Sequence, residues 1–162
     1  MALEIRKFEP DDLSRLHEIR VAAFKPIFDH WRELIGDEMF DLQFFDWREK
    51  QGAFLDEICA PESGHEVYVA VENAAIIGFV GLHMEKDRPV GELGLNAVDP
   101  AHQNRGGGPA LYNFALERMK ELGAKMSWVG TGNDLGHAPA RAAYAKAGFA
   151  LNIPGIVYYR PL

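Results

Sequence analysis

The order of apolar and polar residues predicts a helical first third of the chain. Residues 4–8 alternate with a period of two, which indicates a short first strand, and Pro10-Asp11-Asp12 supplies a helix start. Apolar residues then recur at helical spacing. We expect one amphipathic helix to about Phe24, a second short helix over 26–35 that ends at Gly36, and a longer helix from Asp37 to Cys59.

After residue 64 the pattern changes to strands. Consecutive strands are predicted over 67–71, 75–84 and 91–98, with a turn at Glu72-Asn73. The remaining elements are predicted as a helix over 109–122 that ends at Gly123, a strand over 125–131, a helix over 137–148, and two final strands over 149–152 and 156–160. This order predicts an α/β fold, with a central mixed sheet flanked by helices, in one domain that spans residues 1–162.

Composition and charge reduce the number of function classes that fit the chain. No apolar run approaches the roughly twenty residues of a membrane span, and the N-terminal residues alternate where a signal peptide would be apolar, so we expect a cytoplasmic protein. Its net charge of −7 and pI near 5.3 argue against nucleic-acid binding. Cys59 is the one cysteine, and the histidines lack metal-ligand spacing, so no metal is expected.

The most informative segment is a glycine-rich turn between a predicted strand and a predicted helix. It contains Gln103-x-x-Gly106-x-Gly108, followed by Pro109. A helix N-terminus offers unpaired N–H groups and a positive dipole to phosphate, and glycine lets the backbone approach the ligand. The Lys-Ser or Lys-Thr pair of a P-loop is missing, and the preceding antiparallel strands disagree with a Rossmann unit. The pattern therefore predicts another type of pyrophosphate site.

This turn resembles the acetyl-CoA loop of the GNAT N-acetyltransferase superfamily, whose motif is Q/R-x-x-G-x-G/A. Val98-Asp99-Pro100 is similar to the V-x-P that precedes the family's loop, and residues 140–149 are similar to its A-x-x-x-Y-x-K-x-G-F segment. Gly107 stands where the family usually has a larger residue, and His137 where it often has Asn. The resemblance implies acetyl-CoA as cofactor, bound by Asn96, Val98, Gln103, Asn104, Arg105, Gly106, Gly107, Gly108 and His137.

Acyl transfer to an amine needs a group that takes the amine proton and one that protonates the leaving thiolate. By alternation, Glu92 and Asn96 share one face of strand 91–98, and their polarity indicates that this face opens onto a wet cleft. By resemblance, Glu92 is a candidate base and Tyr144 the candidate acid. Glu92 alternatively begins the strand in solvent. His137, two helical turns before Tyr144, approaches the same site or lies in solvent at the helix start.

The implied activity is transfer of an acetyl group from acetyl-CoA to a primary amine of a small-molecule or peptide acceptor, by direct attack in a ternary complex. Two alternatives stay open: a catalytically silent acyl-CoA-binding regulatory module, and transfer of a longer acyl group. The aromatic first third is expected to wall the acceptor pocket in part, and the candidate amine ligands are Asp29, His30, Glu33 and Asp46. The sequence also leaves open whether the chain forms a homodimer.

Overall fold

The computed structural model describes residues 3–162 of the chain. Over this range the chain forms five strands and five α-helices. In chain order they are β1 (Glu4–Lys7), α1 (Leu13–Ile35), α2 (Asp37–Phe44), α3 (Trp47–Cys59), β2 (His65–Glu72), β3 (Ala75–Met84), β4 (Val90–Val98), α4 (Gly107–Glu121), β5 (Met126–Trp128) and α5 (Ala138–Lys146). Short 3₁₀ turns occupy Pro10–Asp12, Pro100–His102 and Leu135–His137.

The five strands form one mixed sheet in the order β1-β2-β3-β4-β5. The first three pairings are antiparallel, whereas β4 and β5 are parallel. The parallel pair follows from the intervening helix α4, because two parallel neighbours need a crossover connection. The predicted mixed sheet flanked by helices is therefore confirmed.

Helices cover both faces of the sheet. Leu16 and Ile19 of α1 pack with Leu55 and Ile58 of α3 against one face. The other face carries α4 and α5, whose buried residues are Leu111, Tyr112, Ala115, Met119 and Tyr144. Coverage on both faces explains why β2 and β3 read as nearly continuous apolar runs.

The helices of the first third differ from the prediction at two breaks. A helix boundary is predicted before Pro26, yet α1 is a single helix of 23 residues that contains this proline. Proline removes one backbone hydrogen bond, and the turn beyond it buries Phe28, whose ring stacks on Trp47 with centroids 4.2 Å apart. The predicted helix over 37–59 is two helices, α2 and α3, which lets both Phe40 and Trp47 reach Phe28. Among the helices of residues 3–162, none is long and apolar enough to cross a membrane.

The two predicted C-terminal strands are not formed. Residues 149–162 have no regular secondary structure, and Leu151 and Ile153 are each 99% exposed. The neighbouring strand β5 has only three residues and offers few backbone groups for pairing. Pro154 also lies between the two predicted strands, and proline cannot donate to a strand ladder.

Candidate active site

A β-bulge in β4 decides which side chains face which helices. Val80 of β3 lies opposite Asn96 and Leu82 lies opposite Leu93, so one residue of β3 faces two of β4. An extra residue reverses the alternation of side chains on the bulged strand. Accordingly, Leu93 packs with α4 and α5, whereas Leu95 packs with α1 and α3.

The bulge corrects the prediction that Glu92 and Asn96 share one face of the strand. Glu92 precedes Leu93 and therefore projects towards the side of α1 and α3. Asn96 follows Leu95 and projects towards α4 and α5. The alternation inferred from sequence is wrong here because an inserted residue cannot be recognised from apolar periodicity.

A cavity of about 580 Å³ opens where β4 and β5 part. The strand β5 pairs only with Val90–Glu92, so Leu93–Val98 have no partner strand on that side within the described residues. Backbone polar groups of this segment are thereby available to a ligand. Both Glu92 and Asn96 line the cavity, from opposite faces of the sheet.

The glycine-rich turn forms one end of this cavity. Gly106 has φ of 90°, in the left-handed region, and caps α4. The N–H groups of Gly107 and Gly108 lie in the first turn of α4, where a helix provides no internal acceptor. A Cβ at Gly107 would stand 3.3 Å from Ile77 Cδ1, so the backbone approaches the sheet closely at this position. The side chain of Gln103 donates to the Val98 carbonyl at 3.2 Å and ties the turn to β4.

The turn has the features of a phosphate site. Its N–H groups, the positive end of the α4 dipole and the lack of side chains at Gly107 and Gly108 leave room for an anion at the backbone. Asn104, with φ of 63°, also lines the cavity. The exposed Arg105 side chain does not reach the cavity wall, so its predicted contact stays a prediction.

Three side chains meet below the turn. The Tyr144 hydroxyl lies 3.1 Å from Asn96 Nδ2, which also donates to the Gly94 carbonyl at 2.8 Å. Tyr112 of α4 donates its hydroxyl proton to Asn96 Oδ1 at 2.8 Å. The two tyrosine rings lie 4.9 Å apart. Asn96 thus holds the Tyr144 hydroxyl at the cavity wall through its side chain.

Burial keeps both phenols protonated. It raises the pKa of Tyr144, although hydrogen bonds with Asn96 and Tyr112 act in the opposite direction. Burial raises the pKa of Tyr112 as well, and its proximity to Tyr144 adds to this effect. A protonated Tyr144 hydroxyl at the cavity wall is suited to donate a proton.

Tyr112 was not predicted from the sequence as a site residue. It lies on the buried face of α4, one turn after Gly108, and this position could have marked it as a neighbour of the glycine-rich turn. His102 was not predicted either; it lines the cavity, and its Nδ1 atom is buried without a hydrogen-bond partner.

Glu92 is partly exposed at the opposite wall. Its side chain is 28% exposed, and Oε2 lies 3.5 Å from His83 Nδ1. The ring of His83 in turn packs near that of His65, with centroids 4.7 Å apart. A carboxylate that keeps contact with water and with a histidine can accept a proton and pass it to solvent.

His137 lies at the cavity as part of a hydrogen-bonded chain. Its Nδ1 is 2.7 Å from Asp134 Oδ2, which also accepts from Trp31 Nε1 at 3.2 Å. Burial disfavours the charge on Asp134, but the bonds from His137 and Trp31 outweigh it and the pKa of the carboxyl is lowered. This chain joins α1 to the start of α5. Of the two alternatives for His137, the structure favours the site over the solvent-exposed helix start.

Comparisons with known proteins agree with this geometry. A model of the acetyltransferase (GNAT) family matches residues 16–149. A mycothiol acetyltransferase from Nocardia farcinica (strain IFM 10152) is 30% identical over 117 residues, but these cover 65% of the chain and only 38% of that relative. The fold is similar to PaiA N-acetyltransferase from Thermoplasma acidophilum, solved in complex with coenzyme A, with a TM-score of 0.71, 22% identity and 94% and 92% of the two chains covered. The ribosomal-protein-S18-alanine N-acetyltransferase from Escherichia coli aligns with a TM-score of 0.66, 21% identity and coverage of 94% and 80%.

Proposed function

The chain belongs to the acetyltransferase (GNAT) family, and on that basis we propose that it moves an acetyl group from acetyl-CoA to a primary amine of a small-molecule acceptor. One observation carries the proposal. A glycine-rich helix N-terminus, suited to a pyrophosphate, and a buried, protonated tyrosine hydroxyl line the same cavity. A coenzyme A thioester has a pyrophosphate that must be bound and releases a thiolate that must be protonated, and this cavity offers a group for each task.

Acetyl-CoA supplies the activated acetyl group as a thioester. The N–H groups of Gly107 and Gly108 are proposed to bind its pyrophosphate, with Gln103 and Asn104 beside them. The unpaired backbone of Leu93–Val98 is proposed to hold the extended part of the molecule, as an added strand would be held. His137, at the wall of α5, is proposed to border the same part.

We propose that Glu92 and Tyr144 move the protons. Glu92 takes a proton from the acceptor ammonium, directly or through water, so that the free amine attacks the thioester carbonyl. The new C–N bond forms as the C–S bond breaks, and the Tyr144 hydroxyl protonates the departing thiolate. The nitrogen then loses its second proton, which restores the Tyr144 hydroxyl through solvent, and Glu92 releases its own proton to water. The products are an amide and free coenzyme A, and neither residue forms a bond to the acetyl group.

The two residues face the cavity from opposite sides of the sheet, and this arrangement supports the division of roles. Glu92 projects towards α1 and α3, whereas Asn96 presents the Tyr144 hydroxyl from the side of α4 and α5. An acceptor and a thioester can therefore enter from different faces and meet at the opening between β4 and β5. Direct attack in a ternary complex needs this geometry, since both substrates must be present together.

The acceptors of the matched proteins are not assigned to this chain. The chain spans 38% of the mycothiol acetyltransferase, so that enzyme's acceptor is not carried over as a whole. The Escherichia coli neighbour is named for an alanine of a ribosomal protein, and a peptide amine is the second acceptor to test.

We propose that the protein acts in the cytoplasm, which the single half-buried Cys59 supports. Burial raises the pKa of its thiol to about 11, so it is a poor nucleophile.

The test is release of free coenzyme A from acetyl-CoA in the presence of single amines, followed by detection of the acetylated product by mass spectrometry. The proposal expects release that depends on both the amine and the enzyme. Binding of acetyl-CoA without release by any amine or peptide would instead assign the chain to the silent acyl-CoA-binding class. Faster release from a longer acyl-CoA would correct the acyl group and leave the amine chemistry unchanged.

A further inference from the structure

The wall of the cavity formed by α1 and α3 is apolar. Its residues share a lack of charge and of hydrogen-bonding side chains: they are Ala23, Phe24, Pro26, Ile27 and Phe54. This wall lies on the face of the sheet to which Glu92 projects, and it is the acceptor side if the proposed function is correct. Helices α1 and α3 thus provide the side chains that would surround the acceptor.

Phe54 is the most informative member of this wall. Its side chain is 43% exposed, although Leu55 and Ile58 on the same helix are essentially buried in the core. An aromatic ring that borders a cavity and retains this exposure offers an unfilled apolar contact. Pro26 is exposed in the same wall, and Phe24 and Ile27 are half-buried.

Charge at the cavity is sparse. Among the described residues that line it, Glu92 provides the sole carboxylate, and Lys146 adds a positive charge. An acceptor with several ammonium groups would leave all but one without an anionic partner inside the cavity, and unpaired charges are costly to remove from water. The net charge of −7 does not change this, because the other described acidic residues do not line the cavity.

The acidic residues expected from sequence to hold an amine lie elsewhere. Asp29 pairs with Lys25 at 2.5 Å, and Asp46 pairs with Lys50 at 3.1 Å. Glu33 lies 3.7 Å from His30 and is exposed. These residues do not line the cavity, so they do not provide a second site for an ammonium there.

We propose that the acceptor is a monoamine with an apolar, preferably aromatic, body. Its ammonium is bound beside Glu92, and its body packs against Phe54, Phe24 and Ile27. This proposal rests on the proposed acetyltransferase function and names its substrate class. It excludes polyamines and aminoglycosides, whose several ammonium groups find one carboxylate in the cavity.

The test compares kcat/KM for 2-phenylethylamine, n-butylamine and spermidine with acetyl-CoA saturating. We expect 2-phenylethylamine to exceed spermidine by about tenfold or more, since matching apolar contacts discriminate by this order. Phe54→Ala should lower kcat/KM for 2-phenylethylamine about tenfold and change that for spermidine little. Phe54→Asp, which adds a second carboxylate to the wall, should raise the spermidine value relative to wild type.

Phe45→Ala is the matched control, because Phe45 is 70% exposed but lies outside the cavity wall. It should leave all three values unchanged. A spermidine value equal to or above that of 2-phenylethylamine, or a Phe54→Ala loss shared equally by all amines, overturns the substrate class and leaves the acetyltransferase function in place. No release of coenzyme A with any amine, despite bound acetyl-CoA, rejects the proposed function itself and the substrate class with it.

Discussion

The residue on which the proposed chemistry depends most is Tyr144. Its hydroxyl is buried, it contacts Asn96, and its ring packs against Tyr112 and Phe149. The sequence predicted Tyr144 through its place in the motif of residues 140–149. It could not predict the Asn96 contact, which joins positions 48 residues apart, because such contacts depend on how the sheet and α5 pack.

Tyr144→Phe should lower kcat by at least about tenfold, because it removes the proposed proton donor and keeps the ring. The pKa of Tyr144 is raised by burial, so the hydroxyl stays protonated beyond the usual tyrosine value of about 10. The loss should therefore be similar from about pH 6 to 9. Steady-state coenzyme A release across this range measures it.

Tyr112→Phe is the companion variant. It removes a hydrogen bond to Asn96 but leaves the Tyr144 hydroxyl in place. We expect kcat to fall less than in Tyr144→Phe, with acetyl-CoA affinity unchanged in both. Equal activity of Tyr144→Phe and wild type would remove Tyr144 from the mechanism.

Among the elements, α4 and β4 together position the site, and their packing is close. A Cβ at Gly91 would stand 2.5 Å from Met119 Sδ and 2.9 Å from its Cγ. Met119 is 1% exposed, so its side chain has little space in which to move away. The glycine at this position therefore lets the helix that carries the turn lie directly on the strand that carries Glu92 and Asn96.

Gly91→Ala should destabilise the protein by about 1–3 kcal/mol, the usual effect of adding volume to a packed core. Urea unfolding measures the free energy difference. Gly155→Ala is the control, since a Cβ there meets no atom within 4 Å. A Gly91→Ala protein as stable as this control would show that α4 and β4 are less closely packed than described.

A bidentate ion pair fixes α4 to β2. Arg118 Nε and Nη2 donate to the two carboxylate oxygens of Glu66 at 2.8 and 2.9 Å, and Tyr68 donates to the same carboxylate at 2.6 Å. The bonds from Arg118, more than that from Tyr68, lower the pKa of Glu66 to about 2 from a usual 4.5. A lowered native pKa means that ionised Glu66 stabilises the fold above pH 4.5, and that this contribution is lost as the pH falls towards 2.

Glu66→Gln should accordingly lower Tm at pH 7, and the difference from wild type should shrink as the pH is reduced to about 3. Thermal unfolding followed by circular dichroism measures the Tm of both proteins at each pH. Glu117→Gln, which removes an exposed pair with Lys120, is the control and should show little effect at either pH. A difference for Glu66→Gln that does not depend on pH would argue against ionisation as the cause.

At this scale the sequence predicted the strands up to residue 98 better than the helix boundaries, and it predicted two C-terminal strands that are not formed. The apolar run 75–84 is β3 as predicted, because a strand buried on both faces has a clear sequence pattern. The continuation of α1 through Pro26 and the bulge in β4 could not be predicted. At Pro26 the contact of Phe28 with Trp47 overrides the local preference of the chain. The bulge adds one residue to β4, and apolar periodicity carries no sign of it.

For the whole molecule, the central feature is the opening between β4 and β5. It brings together a helix N-terminus, unpaired strand backbone, Tyr144 and Glu92, which lie in separate parts of the sequence. The glycine-rich turn between β4 and α4 could be predicted because its motif is local. The apolar wall of the cavity could not, since it combines α1 and α3 with β4 only after folding. A homodimer stays a prediction, and sedimentation velocity would test it.

The proposed function requires that this opening bind acetyl-CoA through the α4 N-terminus. Thermal unfolding with and without acetyl-CoA tests it most directly, with Pro109→Glu and Pro109→Gln as paired variants. A glutamate in the first turn suits the helix dipole but repels a pyrophosphate, whereas glutamine has nearly the same shape without the charge. Acetyl-CoA at a hundred times its Kd should raise the free energy of unfolding by about 2.7 kcal/mol. This corresponds to a Tm increase of roughly 5–10 °C for a domain of this size.

We expect this increase in wild type and in Pro109→Gln, and its loss in Pro109→Glu. That result would support both the ligand and the loop that binds it. An equal increase in Pro109→Glu would show that acetyl-CoA binds elsewhere. No increase in wild type at saturating acetyl-CoA would contradict cofactor binding and, with it, the proposed function.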